Sequence, residues 1–180
     1  MIKYAALIRG IGPSNPNMRN EKLRGVLEGL GFRNVRTVIA SGNVLFESAS
    51  KDIDKLEKMI EKAWPARLGF KATTIVRSRE SLQELVDRNP FRRLKDTPKS
   101  RLNVTFLKSP PRTKLKFPHR PENKKYQLLA LHDCAVCSVI DTTGAKTPDL
   151  MSFLEKQFGK EITTRTWKTV ARILEKLNAG

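Results

Sequence analysis

The chain has 180 residues, 39% of them hydrophobic and 29% charged, and its 35 Lys and Arg outnumber 18 Asp and Glu to give a formal charge of +17. That length suits one sizeable domain or two small lobes burying roughly 70% of the unfolded surface, and the composition describes a soluble globular protein with a wet, basic surface. The early apolar run 4–8 ends at Arg9 and Gly10 and is too short for a signal-peptide core or a span, so a cytosolic protein with no membrane partner is expected.

Residues 2–9 read as a strand. Leu23, Val26, Leu27 and Leu30 then recur at i, i+3, i+4, i+7, one face of a helix capped by Asn20 and ended by Gly31. Residues 35–39 and 44–47 are strands joined across Ala40, Ser41, Gly42 and Asn43, whose Gly and Asn suit positive φ. A second helix carries Ile53, Leu56, Ile60, Ala63 and Trp64 on one side, with Pro65 and Gly69 expected to break it, and 70–77 closes the set as a strand. The order βαββαβ is that of a ferredoxin-like lobe spanning residues 1–78. Right-handed crossovers place its first and third strands together, which brings Arg9 and Gly10 toward Ser41, Gly42 and Asn43.

A smaller α+β lobe, 79–180, follows. A helix over 80–88 turns Leu82, Leu85 and Val86 inward, and 102–107 is a strand. Pro110, Pro111, Pro118 and Pro121 make 109–125 an open, extended loop. Residues 126–132 and 135–141 read as paired strands meeting near Asp133. Thr147, Pro148 and Asp149 signal a helix start, with Met151, Leu154 and Phe158 on its apolar side and Gly159 at its end. The last helix carries a stripe of Trp167, Val170, Ala171, Leu174 and Leu177, capped by one of the threonines before it. No internal repeat is evident.

Thirteen of the Lys and Arg residues fall within 88–125, against two acids, Asp96 and Glu122. Such a concentration attracts polyanions, so Arg92, Arg93, Lys95, Lys99, Arg101, Arg112, Lys114 and Lys116 are candidate contacts for nucleic acid or another polyanion. Phe91, Phe117 and Tyr126 lie among them, as in proteins that stack bases while neutralising phosphates. The bland alternative is a solvated face that keeps the protein soluble. Cys134 and Cys137 are spaced C-x-x-C within a β-prone run, where positions three apart point to opposite faces, so they read as structural cysteines rather than a metal or redox pair. No metal and no cofactor are expected.

Three segments, YAALIRGIG, ASGNVLFES and ITTRTWKTVARIL, together resemble an uncharacterised bacterial family, domain-of-unknown-function family 1697, whose members open with YAALLRGIN-like strands. The resemblance covers nearly the whole chain. It implies an α+β fold with a ferredoxin-like first lobe and brings no activity. By position it carries over Arg9 and Gly10, then Ser41, Gly42 and Asn43, then Thr163, Thr164, Arg165, Trp167 and Thr169. Three departures put ligand contacts by the usual amides in doubt: Gly12 and Thr166 stand where Asn is usual, and Ala40 where Gln is common. The loop after Gly12 also differs, reading PSNPN.

The segment 9–12 follows a strand and precedes a helix, where phosphate loops sit, with Asn15, Asn17 and Arg19 beside it; a tight turn explains its glycines equally well. Arg9, Gly10, Ser41, Gly42 and Asn43 could hold a phosphate or carboxylate at one sheet edge, joined by Thr164 and Arg165 if the lobes meet there. A nucleophilic Ser41 would need a base, and neither histidine is expected near it. No carboxylate pair, metal set or triad can be assembled. Binding is therefore favoured over catalysis, with an enzyme or sensor for a small anionic ligand as the rival.

Overall fold

The computed structural model describes residues 1–12, 14–40, 42–122, 124–144 and 149–180. Among them are two four-stranded antiparallel sheets and five α-helices, and none of these helices is long and apolar enough to cross a membrane. The chain divides into two compact units, Met1–Glu84 with Ala171–Gly180, and Leu85–Val170.

The first unit runs β1 (Ile2–Ile8), α1 (Asn20–Gly29), β2 (Arg33–Thr37), β3 (Asn43–Ser48), α2 (Ile53–Leu68) and β4 (Thr74–Ser78), with strand order β2-β3-β1-β4. This is the ferredoxin-like arrangement that the hydrophobic pattern demands. Tyr4, Ala6 and Ile8 alternate onto one face of β1, join Val44, Phe46 and Val76, and bury against Leu23, Val26 and Leu27 of α1 and Leu56, Ile60 and Trp64 of α2. Arg19, not Asn20, occupies the cap position of α1 and makes no side-chain cap; Gly31 has the expected positive φ. Asp52 caps α2 by accepting from the Lys55 amide at 2.9 Å.

Pro65 does not break α2. It falls in the last turns, where one backbone bond is lost, and the turn beyond is closed by Gly69 N donating to Pro65 O at 3.2 Å. Trp64 fixes the same turn by donating to Thr74 Oγ1 at 2.9 Å and stacking on Phe70. Glu57 and Glu61 of α2 accept from the amides of Val76 and Thr74, each at 2.9 Å, so helix carboxylates occupy the outer edge of β4.

After α3 (Arg79–Asp87) come β5 (Ser100–Leu107), β6 (Tyr126–His132), β7 (Ala135–Asp141), α4 (Leu150–Phe158), β8 (Ile162–Thr166) and α5 (Trp167–Asn178), with strand order β6-β7-β5-β8. The segment Thr163 to Thr166, expected to be only an approach to the last helix, is the edge strand β8. Four of the five residues of β8 are β-branched, which suits a pleated edge. Asp149 stands at the cap position of α4; the expected start at Thr147 and Pro148 lies outside the described residues. Met151 is 38% exposed, and on α5 it is Val170, Ile173, Leu174 and Leu177 that are buried, with Ala171 outside.

The two sheets share one plan. Replacing β1 to β4 by β5 to β8 turns the first strand order into the second, and the backbone bonds repeat with it. Ile8 N donates to Gly42 O (2.9 Å) as Leu107 N donates to Cys134 O (2.7 Å), and Arg9 N donates to Thr73 O (2.9 Å) as Lys108 N donates to Glu161 O (3.0 Å). Ser78 and Thr166 each cap the following helix through the amide three residues on, at 3.1 and 3.2 Å. Arg77 and Arg165 each bond the carbonyl of the residue before them, at 2.7 and 2.9 Å. The second unit is thus a ferredoxin-like plait in which the described residues between β5 and β6 stand where the first unit has α1.

Candidate functional site

In that segment exposure alternates strictly from residue 111 to 120. Arg112, Lys114, Lys116, Pro118 and Arg120 are exposed, while Pro111, Thr113, Leu115, Phe117 and His119 are half-buried. The chain bends at residues 117 and 118, around the cis peptide between Phe117 and Pro118, and its odd positions are the half-buried ones on both sides of the bend. Leu115 and Phe117 pack on the core formed by Leu107, Tyr126, Leu128, Val136, Leu150, Leu154 and Ile162. His119 exchanges both backbone bonds with Leu128 on the edge strand β6, at 2.8 and 2.9 Å, and its ring stacks on Phe153 at 5.3 Å. Arg112, Lys114 and Lys116 are thereby held outward, roughly 6.6 Å apart at two residues each, and Arg120 is exposed beyond the bend.

A cleft of about 500 Å³ opens on the same unit. Gln127 and Val139, register partners across β6 and β7, line it, as do Ser100 and Asp141, partners across β5 and β7. Lys99, Lys124, Lys125 and the 40% exposed Leu94 complete much of the wall. The Asp141 carboxylate accepts from Thr143 Oγ1 at 2.5 Å and from its amide at 2.8 Å, which holds its pKa below the usual carboxylate value. Lys124 bonds Asp149 at 3.0 Å, and that bond raises the pKa of the lysine and lowers that of the acid.

The other predicted cations divide around this cleft. Arg92, Arg93 and Lys95 are exposed on the turn that presents Leu94, closed by Leu94 N donating to Phe91 O at 2.8 Å. Arg101 is exposed but pairs with Ile140, which packs into the covered core, so it lies on the opposite face from Val139. Asp96, one of the two acids of the stretch, pairs with Lys168 at 3.4 Å. The expected stacking platform is not there: Phe91 and Tyr126 are each 3% exposed, and Phe91 packs edge-on against Trp167 at 5.0 Å.

In the first unit, the bond from Ile8 N to Gly42 O and the pairing of Leu7 with Asn43 bring the ends of β1 and β3 together, as expected. Ser41 lies outside the described residues. Asn43 is 3% exposed and donates to Val38 O at 3.1 Å, so its amide shapes the β2–β3 connection. Gly10 is exposed with φ +81°. Asn15 and Asn17 fold the preceding turn: Asn15 Oδ1 accepts from Asn17 N at 2.9 Å, and Asn17 Nδ2 donates to Leu68 O at 2.8 Å. Arg9, Gly10, Gly42 and Asn43 belong to the first unit, Thr164 and Arg165 to the second.

Thr164 Oγ1 meets Thr105 Oγ1 at 2.8 Å and donates to Met151 Sδ at 3.2 Å. Arg165 donates to Thr163 Oγ1 at 2.7 Å, and burial pushes its guanidinium down to about 10, still cationic at neutral pH. Cys137 is buried on β7 with its thiol pushed up to about 12 by desolvation, while Cys134 is half-buried in the turn before β7.

The family model described as "Protein of unknown function (DUF1697)" matches residues 1–136. The fold is similar to the solved structure of the conserved bacterial protein SP0830 from Streptococcus pneumoniae, with a TM-score of 0.73 and 21% identity over 99% of each chain. No curated protein matches the chain.

Proposed function

The chain belongs to the DUF1697 family, whose description assigns no activity, and from its own surface we propose that it is a non-catalytic binding module for nucleic acid or a similar polyanion. The interface lies on the second unit. The observation that carries this reading is the outward row Arg112, Lys114 and Lys116, set at every second position of a chain backed by Leu115 and Phe117, with Arg120 exposed beyond the bend that follows. A row of this pitch can follow successive phosphates, and a fixed backbone lowers the ordering cost of each contact. With Phe91 and Tyr126 buried, the row neutralises a backbone and does not stack bases, so little sequence preference is expected. The test is fluorescence anisotropy with labelled single-stranded and duplex oligonucleotides at low salt. Binding at micromolar protein that weakens steeply with added salt is expected; no binding of any probe under those conditions ends the proposal.

A further inference from the structure

The pairing of His119 with Leu128 sets where Arg120 falls. In an antiparallel register the next residue, Arg120, falls opposite Gln127 on the same face, and Gln127 lines the cleft. Arg120 therefore stands at the Gln127 end of the cleft, and a strand bound there meets it on the way in. Lys99 and Lys125 there suit phosphates, but Asp141 does not. It pairs with Ser100 in the register, and Thr143 holds it through two bonds to Oδ1. A fixed carboxylate repels a phosphate and accepts hydrogen bonds from vicinal ribose hydroxyls.

Resting on the polyanion reading, we propose that the cleft receives the 3′-terminal nucleotide of a single RNA strand, with Asp141 selecting an end that carries free 2′- and 3′-hydroxyls. The volume of about 500 Å³ is ample for one nucleotide. Leu94 and Val139 provide an apolar wall for its base, and the Gln127 amide lies within the same cleft to meet a base edge. The lysines contact the phosphodiester that precedes the terminal sugar. An internal nucleotide would bring a phosphodiester against Asp141, so only an end fits.

The test measures anisotropy with short RNAs of one sequence ending in a 2′,3′-diol, a 3′-phosphate or a 2′,3′-dideoxy sugar, beside a circular RNA. The diol end should bind about tenfold more tightly than either other end, the value of roughly one charge-assisted bond. Asp141→Asn should bring the 3′-phosphate level with the diol without changing the affinity for the circle. Because the end series uses the unaltered protein, it decides the matter even if the variant fails to fold. Equal affinity for all linear ends and the circle would overturn the cleft assignment and leave the polyanion reading standing. Failure of every RNA and of single-stranded and duplex DNA to bind would remove both.

Discussion

Replacing Arg112, Lys114 and Lys116 together by serine tests whether charge acts through its arrangement or only through its total. Each cation that neutralises a phosphate of a single strand contributes about 0.7 to the slope of log K against log salt concentration, so losing three contacts should flatten that slope by about 2. All three side chains point away from the core, and the fold should keep its stability to within about 0.5 kcal/mol. The control is the triple serine variant at Lys55, Lys58 and Lys62, exposed positions on α2. Both variants lose three of the same +17 total, yet the control should retain nearly the parent slope. Salt-dependent anisotropy with a single-stranded probe gives the slopes, and urea unfolding gives the stabilities. Equal slopes for the two triple variants would refute the argument from geometry and leave a diffuse attraction of a basic protein for any polyanion.

Gly42 has φ +84°, and a Cβ there would lie 3.2 Å from Ile8 Cβ and 3.3 Å from Ile8 O, so Gly42→Ala should cost ~1–3 kcal/mol in urea unfolding. An unchanged midpoint would show that the ends of β1 and β3 are less tightly joined than their hydrogen bond implies. For His132, burial and then Arg88 hold the imidazole pKa below its ordinary value, against an opposing pull from Asp133. The unfolded chain thus takes up the proton first. This stabilising term is present above about pH 6.5 and is lost as pH falls through that value toward the lower folded one. His132→Gln should reduce the drop in stability between about pH 7 and pH 5; an equal drop in both proteins would exclude the histidine as its source.

The first plait was legible because its faces obey two clean periods, Tyr4, Ala6 and Ile8 along a strand and Leu23, Val26 and Leu27 along a helix. The second was not legible as a copy, because register-equivalent positions carry unlike side chains. Where β1, β3 and β4 place Tyr4, Ala6, Phe46 and Val76 under two helices, β5, β7 and β8 place Asn103, Thr105, Ser138 and Thr164. With α1 replaced by an extended segment, no helical period remained at that point to match. The strand β8 escaped notice for a related reason: Ile162–Thr166 holds a single apolar residue, and its β character lies in branching alone. The row 112–120 did carry a period of two, visible as cations at even positions with Leu115 and Phe117 at odd ones, but the four prolines of 110–121 masked it as an open loop. The cleft had no linear signal. Lys99, the pair Lys124 and Lys125, and Asp141 lie on separate segments, and the pairing of Ser100 with Asp141 and the bond from Asp141 N to Lys125 O (2.8 Å) gather them.

Covering a sheet with extended chain instead of helix frees half of that cover from any duty in folding. Helical residues must all keep a helix-forming propensity, whichever way they face, whereas along 111–120 only the inward set is answerable to the core. Arginine, lysine or a neutral residue can be exchanged on the outer set with little penalty to the native state. Grip on a ligand can therefore be tuned over orders of magnitude in a protein whose melting behaviour stays the same.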